Sequence, residues 1–539
     1  MTMEKKTAMT KPHNLTLEEK TAQLFFPAAF INDTPEGIAQ IEKLITDHGI
    51  GGLTFFHSRA SAATNYEKKE VKRYEDSYER LIEMIERYQK LSSIPLLISI
   101  DAEWGLAMRI ENTPQFPYAL TLGSLPAEDR ELIRQVGYEI GKDLKRAGIH
   151  YNLAPLADIN DNPENPVIGY RSFGQDKEIV LQACRYYCEG LEEAGILNCV
   201  KHFPGHGNTR VDSHLGLPVI EKDKDALYKN ELYPFRELAK SGIDSIMAGH
   251  LAVPALSGDK QLPATLSAKI IKGILRKEFE FEGVVISDAL NMHSVSKLYT
   301  EKGKLERLAF EAGNDVLCFS ENTIEGINQI SQKCDPEEIH NSFERLMKMK
   351  SKAGLFDGNT SYKGDQSREN RKQVASDLNS LLATKSIINL SPNADSPILT
   401  KKEACRLIII GNDEIDSFVK TLSRDRHLNV IHPESHTRLL NLQGDITTLL
   451  AVVPPSVKPL NNFGLSKENI DLIKDLIERW NPALCLFGNP YALELIPNSR
   501  SAASVVISGQ LFEEYQEEAA RVVTGELKAS GKLPVELKL

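Results

Sequence analysis

The sequence predicts an α/β fold, a TIM-type (β/α)8 barrel followed by a smaller α/β sandwich domain. Three observations predict it. Over residues 15–357 a short apolar strand, a polar loop and an amphipathic helix alternate eight times, which is the grammar of parallel βα units. Ionisable residues then fall at the carboxyl ends of five successive strands, the face on which barrels build active sites. Beyond a polar stretch a second, shorter alternation begins, and a chain of 539 residues exceeds what one ordinary core holds.

The barrel strands are expected at Gln23–Pro27, Gly51–Phe55, Leu96–Ile100, His150–Asn152, Leu197–Lys201, Ser245–Ala248, Val284–Ser287 and Asp315–Cys318. Helices are expected at Glu128–Ala147, Lys177–Ala194 and Asp225–Lys240. The charged run Arg59–Lys90 reads as an insertion whose exposed helix extends the second unit. Asp101, Asp158, the Lys201–His202 pair, His250 and Asp288 end or follow strands three to seven. Residues 1–14 read as a disordered polar tail, and residues 358–375, which include GNTSYKGDQSRENRKQ, as a linker. Residues 376–539 then form the α/β sandwich domain, with strands at Arg406–Gly411, Thr448–Val453, Leu484–Gly488 and Ser504–Ser508 and helices at Lys467–Trp480 and Leu511–Thr524. GNDEID after the first of these strands lacks the glycine spacing of a dinucleotide fingerprint.

Hydrophobic residues make up 41% and charged residues 26%, as in a globular protein, and the formal charge is −11. That balance argues against nucleic acid as a partner, and no run approaches the roughly 20 apolar residues of a membrane span. The start of the chain lacks the apolar centre of a secretory leader, and seven cysteines without a CxxC pair fit reduced thiols. A cytoplasmic monomer or homodimer is the expectation.

The run Lys201–Pro218, KHFPGHGNTRVDSHLGLP, packs His202, His206, Asp212 and His214 into a loop that Pro204, Gly205 and Gly207 keep out of helix. Asp212 and His214 are two residues apart, so in an extended segment their side chains share a face. A carboxylate there can fix the imidazole tautomer and stabilise its protonated form. Asp288 directly follows an apolar β-branched strand, a place for a nucleophile or for a cap on the next helix. One carboxylate plus one proton donor is the minimum equipment for glycoside cleavage. Asp101, Arg109, Arg171, Lys201 and His202 supply acceptors and donors for a polyhydroxylated ligand, although each also suits a structural ion pair. Trp104 suits either stacking on a sugar or packing within its loop.

KHFPGHGNTRVDSHLGLP, NPVIGYRSFG, ISDALNM and PATLS together resemble the β-N-acetylglucosaminidases of glycoside hydrolase family 3, over roughly Leu15 to Phe356. The resemblance implies Asp288 as nucleophile, His214 as acid/base and Asp212 as its partner. It also implies that Asp101, Arg109, Arg171, Lys201 and His202 bind the sugar, and that neither cofactor nor metal is needed. The chain departs from the family's DQEGGR at DAEWGL, where Trp104 and Leu106 replace a glycine and an arginine.

The expected activity is retaining hydrolysis of terminal β-linked N-acetylglucosamine from muropeptides or chitooligosaccharides. Three rivals stand beside it. A neutral imidazole repels an anion less than a carboxylate does, which admits phosphate in place of water and hence a phosphorylase. His202, His206 and His214 suggest a metal-dependent hydrolase. A sugar-binding protein with a dead site is the non-enzymatic reading.

Overall fold

Eight parallel strand positions close into a ring in the computed structural model of the chain, which describes residues 14–59, 74–209, 216–357, 368–391, 398–399, 404–432 and 446–539. The chain forms two compact units. The first takes in residues 1–115, 133–159 and 184–371, and the second residues 116–132, 160–183 and 372–539.

In the first unit β1 (Phe25–Phe26) and β2 (Ala28–Phe30) share one ring position, interrupted by Pro27, which has no amide hydrogen to give a ladder. The ring continues through β3 (Gly52–Phe56), β4 (Leu97–Ile100) and β5 (Tyr151–Asn152), which pair in parallel with β2 in that order. A bridge from Tyr151 to Leu197 passes to β6 (Cys199–Phe203), β7 (Ser245–Ala248) and β8 (Val284–Ser287). A bridge from Ile286 to Val316 leads to β9 (Leu317–Cys318), which pairs with β1 and closes the circle. The strands carry near-continuous apolar runs because both faces are covered.

Alternate strands fill the barrel interior in layers. Thr54 of β3 meets Cys318 of β9 at 3.5 Å and Tyr151 of β5 meets Ser245 of β7 at 2.6 Å. All four come from even ring positions and are buried, so the barrel interior holds hydrogen-bonded groups as well as hydrocarbon. At the start of β9 the buried Asp315 takes Val285 N at 2.8 Å, Ser342 Oγ at 2.8 Å, Arg345 at 2.9 Å and Arg276. That cluster fixes the amino side of the last two strands.

Capping chemistry starts the helices around this ring. Thr16 and Glu19 form a reciprocal capping box ahead of helix Leu17–Gln23. Thr34 and Asp335 cap helices Pro35–Lys43 and Pro336–Lys352, each with proline in the first turn. The charged insertion gives a helix at Ser77–Leu91, and residues 60–73 lie outside the described residues. That helix is not exposed all round, since Leu81, Met84, Ile85 and Tyr88 are buried. Their spacing makes one apolar face under the charges. The helix expected at Asp225–Lys240 breaks in two, Lys224–Lys229 and Leu232–Ala239.

The second unit contains a six-stranded sheet in the order β10 (Ile388–Asn389), β15 (Ser504–Ser508), β14 (Ala483–Phe487), β13 (Thr448–Val453), β11 (Cys405–Gly411) and β12 (Leu428–Ile431). Only β10 runs antiparallel. Ile408, Leu450 and Leu484 pack on one face with helix Lys467–Trp480, while Leu407, Leu449 and Cys485 face a second core with Phe418 and Val523. Both faces are covered, hence the apolar runs. Strands β10 and β12 have no counterpart in the sequence reading: one is two residues long, and the other is a half-exposed edge strand. Of the expected linker, residues 358–367 lie outside the described residues, and helix Arg368–Ser386 begins at Arg368. Its polar residues are adequate helix formers, and Ala375, Leu378 and Leu382 bury one side of it.

Candidate active site

The carboxyl ends of β4, β5, β6 and β8 assemble the candidate site. Asp101 is the first residue after β4. Its loop is held by Ala102 N donating to Asn152 Oδ1 at 3.0 Å, and by Tyr187 Oη donating to Glu103 O at 3.0 Å and Ala102 O at 3.2 Å. Gly105 has φ +97°, a left-handed backbone that favours glycine. The turn Leu106–Met108 that follows delivers Arg109 back to Asp101 Oδ2 at 3.0 Å. The Arg109 guanidinium also stacks over Phe56, 4.0 Å from the ring centroid.

Lys201 comes from the middle of β6 and is 2% exposed. Its Nζ donates to Asp101 Oδ1 at 2.8 Å and pairs with Glu103 Oε1 at 2.9 Å. Among the described residues two cations and two carboxylates thus meet in one cluster. Burial pushes the Asp101 carboxyl up, but Lys201 and Arg109 outweigh it and hold the group well below the usual carboxylate range. Asp101 is therefore ionised, with oxygens that accept and cannot donate.

Asp158 follows β5 and is fully buried. Its Oδ2 meets His202 Nδ1 at 2.7 Å, and its Oδ1 accepts from the amides of His202 at 3.1 Å and His206 at 2.7 Å. Burial raises this carboxyl, and the charge and hydrogen bond of His202 more than reverse the effect. His206 meets Thr209 Oγ1 at 2.8 Å, and burial together with the charge of His202 lowers it to about 4. The start of the glycine-rich loop is therefore anchored inside the protein.

Asp288 follows β8, where its amide donates to Ala248 O at 3.0 Å and its Oδ1 accepts from Ala289 N at 2.7 Å. The next helix, His293–Ser296, has Met292 at its N-cap position, so Asp288 is not the cap of that helix. His250 Nε2 donates to Ala289 O at 3.0 Å, and burial lowers its pKa. A neutral imidazole therefore lies beside the Asp288 turn.

The structure thus gathers Asp101, Arg109 and Lys201 into one bonded cluster, with His202 on the same strand as Lys201. Arg171 belongs to the second unit, on the turn Gly169–Arg171, where it donates to Val167 O at 3.2 Å. Asp212 and His214 lie outside the described residues. Trp104 is half-buried in the β4 loop. Glu103 and Asp158 were not among the site residues read from the sequence. Glu103 sits inside the DAEWGL motif and Asp158 was visible as a strand-end carboxylate, but nothing local names Lys201 or His202 as their partners. Among the described residues no three His, Cys, Asp or Glu are grouped to hold a metal ion, and no helix is long and apolar enough to cross a membrane.

A closed parallel barrel with its charged cluster on the carboxyl face defines a (β/α)8 scaffold of the enzyme type. Residues 16–349 match the Glycosyl hydrolase family 3 N terminal domain. The chain belongs to glycosyl hydrolase family 3, a family of glycoside hydrolases. It is similar to the Beta-hexosaminidase A of Pseudoalteromonas piscicida, 34% identical over 291 residues that make up 49% of this chain and 48% of that protein. It is 30% identical to the Beta-hexosaminidase of Thioalkalivibrio sulfidiphilus over 59% of this chain and 88% of that protein. Among solved structures, the family 3 beta-N-acetylglucosaminidase of Paenibacillus sp. FPU-7 is 25% identical, with a TM-score of 0.75 over 97% of this chain and 99% of that one. A beta-glucoside phosphorylase at 20% identity and TM-score 0.79 shares the fold.

Proposed function

We propose that the protein is a retaining exo-β-N-acetylglucosaminidase, acting on terminal β-linked N-acetylglucosamine of muropeptides or chitooligosaccharides. The observation that carries this reading is the ionised Asp101 held between Lys201 and Arg109 on the same barrel face as Asp288. A fixed carboxylate flanked by two cationic donors matches vicinal hydroxyls, and a second carboxylate at the barrel mouth is available to attack. The names of the hexosaminidase relatives and of the Paenibacillus enzyme support the N-acetylglucosamine specificity.

In the proposed reaction Asp288 attacks the anomeric carbon as the bond to the leaving oxygen breaks. His214, protonated and paired with Asp212, gives that oxygen its proton. Water then adds to the anomeric carbon, its proton passes to His214, and the Asp288 carboxylate is released, so the configuration is retained. Lys201, His202, Arg109 and Asp101 hold the sugar. A histidine suits the proton transfers because its ordinary pKa of about 6.5 lies near neutral pH.

The test is turnover of a chromogenic N-acetyl-β-glucosaminide against the matching β-glucoside, with the product anomer read by NMR before mutarotation. Release of β-N-acetylglucosamine supports the reading, and preference for the glucoside sinks it. Appearance of a sugar 1-phosphate in phosphate buffer would convert the reading to phosphorolysis. Comparing a muropeptide with chitobiose identifies the aglycone class.

A further inference from the structure

Asp158, which the proposed chemistry leaves without a role, forms a buried carboxylate–imidazole pair with His202. The geometry divides the two oxygens of Asp158 between two tasks. Oδ1 accepts the amides of His202 and His206, and Oδ2 faces His202 Nδ1 at 2.7 Å. The carboxyl is fully buried and Oδ1 takes two backbone amides, and a carboxylate so placed can only accept. His202 Nδ1 must therefore carry a proton, and in the neutral ring Nε2 carries none.

We infer that Asp158 is a positioning residue that fixes His202 in the Nδ1–H tautomer and so presents Nε2 as a hydrogen-bond acceptor for a hydroxyl of the bound sugar. It rests on the function proposed above only in naming the ligand. A fixed tautomer matters because a hydroxyl donates in one direction at a time: an acceptor at Nε2 frees the hydroxyl oxygen to take a bond from a cationic donor. The same carboxylate anchors the amide of His206, six residues ahead of Asp212 in the chain. One buried group thus sets a sugar-binding ring and the root of the segment to which the acid/base role is assigned.

Asp158→Asn tests this sharply. The two amides require an acceptor at Oδ1, so the new amide nitrogen must take the place of Oδ2, facing His202 Nδ1. A donor there forces the ring into the opposite tautomer, with the proton on Nε2. Histidine 15N chemical shifts of the full-length labelled protein, followed to alkaline pH until they no longer change, read the tautomer of the neutral ring directly. The His202 signals are those lost in His202→Gln. The expected result is an unprotonated Nε2 in the parent and an unprotonated Nδ1 in Asp158→Asn, with kcat/KM lower by about 2- to 10-fold, the range for a hydrogen bond between uncharged groups.

A protonated Nε2 in the neutral parent overturns the inference, and this arm stands even if Asp158→Asn fails to fold. An unchanged tautomer in the variant, or a reversed one with unchanged kcat/KM, overturns it as well. The tautomer is measured without substrate, so a failure of the N-acetylglucosaminidase reading leaves this arm intact.

Discussion

Lys201 Nζ donates to Asp101 Oδ1 at 2.8 Å, joining the middle of β6 to the end of β4. Glu103 meets the same ammonium at 2.9 Å, so Lys201 is the charge that lets two carboxylates stand together in a largely buried place. Removing one partner of such a set leaves the rest uncompensated, which costs more than the pair itself contributes.

Lys201→Met keeps much of the side-chain volume and removes the charge. Among the described residues Arg109 is then the cation left on Asp101, and the Asp101 carboxyl must rise, because a neighbouring cation has been lost. The acid limb of the kcat/KM profile should move to higher pH, with kcat/KM down by about 10- to 100-fold at neutral pH. An acid limb that stays in place would remove Asp101 from the groups whose ionisation binding requires.

Asp288→Asn should fold as the parent does and lose turnover, since an amide cannot serve as the nucleophile. Intact-mass and peptide analysis after exposure of the parent to a 5-fluoro N-acetylglucosaminyl fluoride should place the sugar on Asp288. A label on any other carboxylate, or residual activity above about a hundredth of the parent on the scale for loss of a catalytic group, would displace Asp288 from this role.

His214→Ala should mainly affect substrates with poor leaving groups, because an activated phenol departs with little protonation. On the proposed pairing, Asp212→Asn takes an anion away from the imidazolium, so the histidine pKa should fall and the basic limb of the rate profile should move to lower pH. The double variant should be little worse than His214→Ala alone. Losses that multiply would mean the two residues act separately, and leaving-group-independent losses would take His214 out of the acid role.

Barrel strands were legible in the sequence because each is a short apolar run with a polar residue at its carboxyl end, and Asp101 and Asp288 stand where that pattern places them. Pairing was not legible. Asp158 lies 44 residues from His202 and Asp101 lies 100 from Lys201, and only closure of the ring brings them within hydrogen-bond reach. The cluster of segments 116–132 and 160–183 with the second unit was hidden for a related reason: membership in a core is decided by what a segment packs on, not by chain order. Strand β12 was missed because a half-exposed edge strand carries no continuous apolar signal.

Lys350 gives a stability prediction far from the chemistry. It lies on helix Pro336–Lys352, fully buried, where Nζ donates to Gln23 Oε1 and Pro95 O, both at 2.8 Å, and among the described residues it forms no ion pair. Burial lowers its pKa from 10.5 to about 7. The facing titratable group is His150, which burial and the charge of Lys350 lower to about 3, so it stays neutral throughout the window that matters. Below about pH 7 the folded and unfolded chains both hold the Lys350 proton, and this group adds no pH dependence. Between about 7 and 10.5 only the unfolded chain holds it. The unfolded state then binds more protons, and the stability of the parent rises with pH by up to about 1.4 kcal/mol per unit from this group. Lys350→Met has no such proton to lose. Thermal midpoints of parent and variant, measured side by side at several pH values across that window, should therefore diverge steadily in the parent's favour as pH rises. Other titrating groups are common to both proteins and cancel in the difference. A difference that does not change with pH would show that Lys350 keeps its ordinary pKa and stays charged inside the fold, with its two hydrogen bonds sufficient to hold an ammonium there.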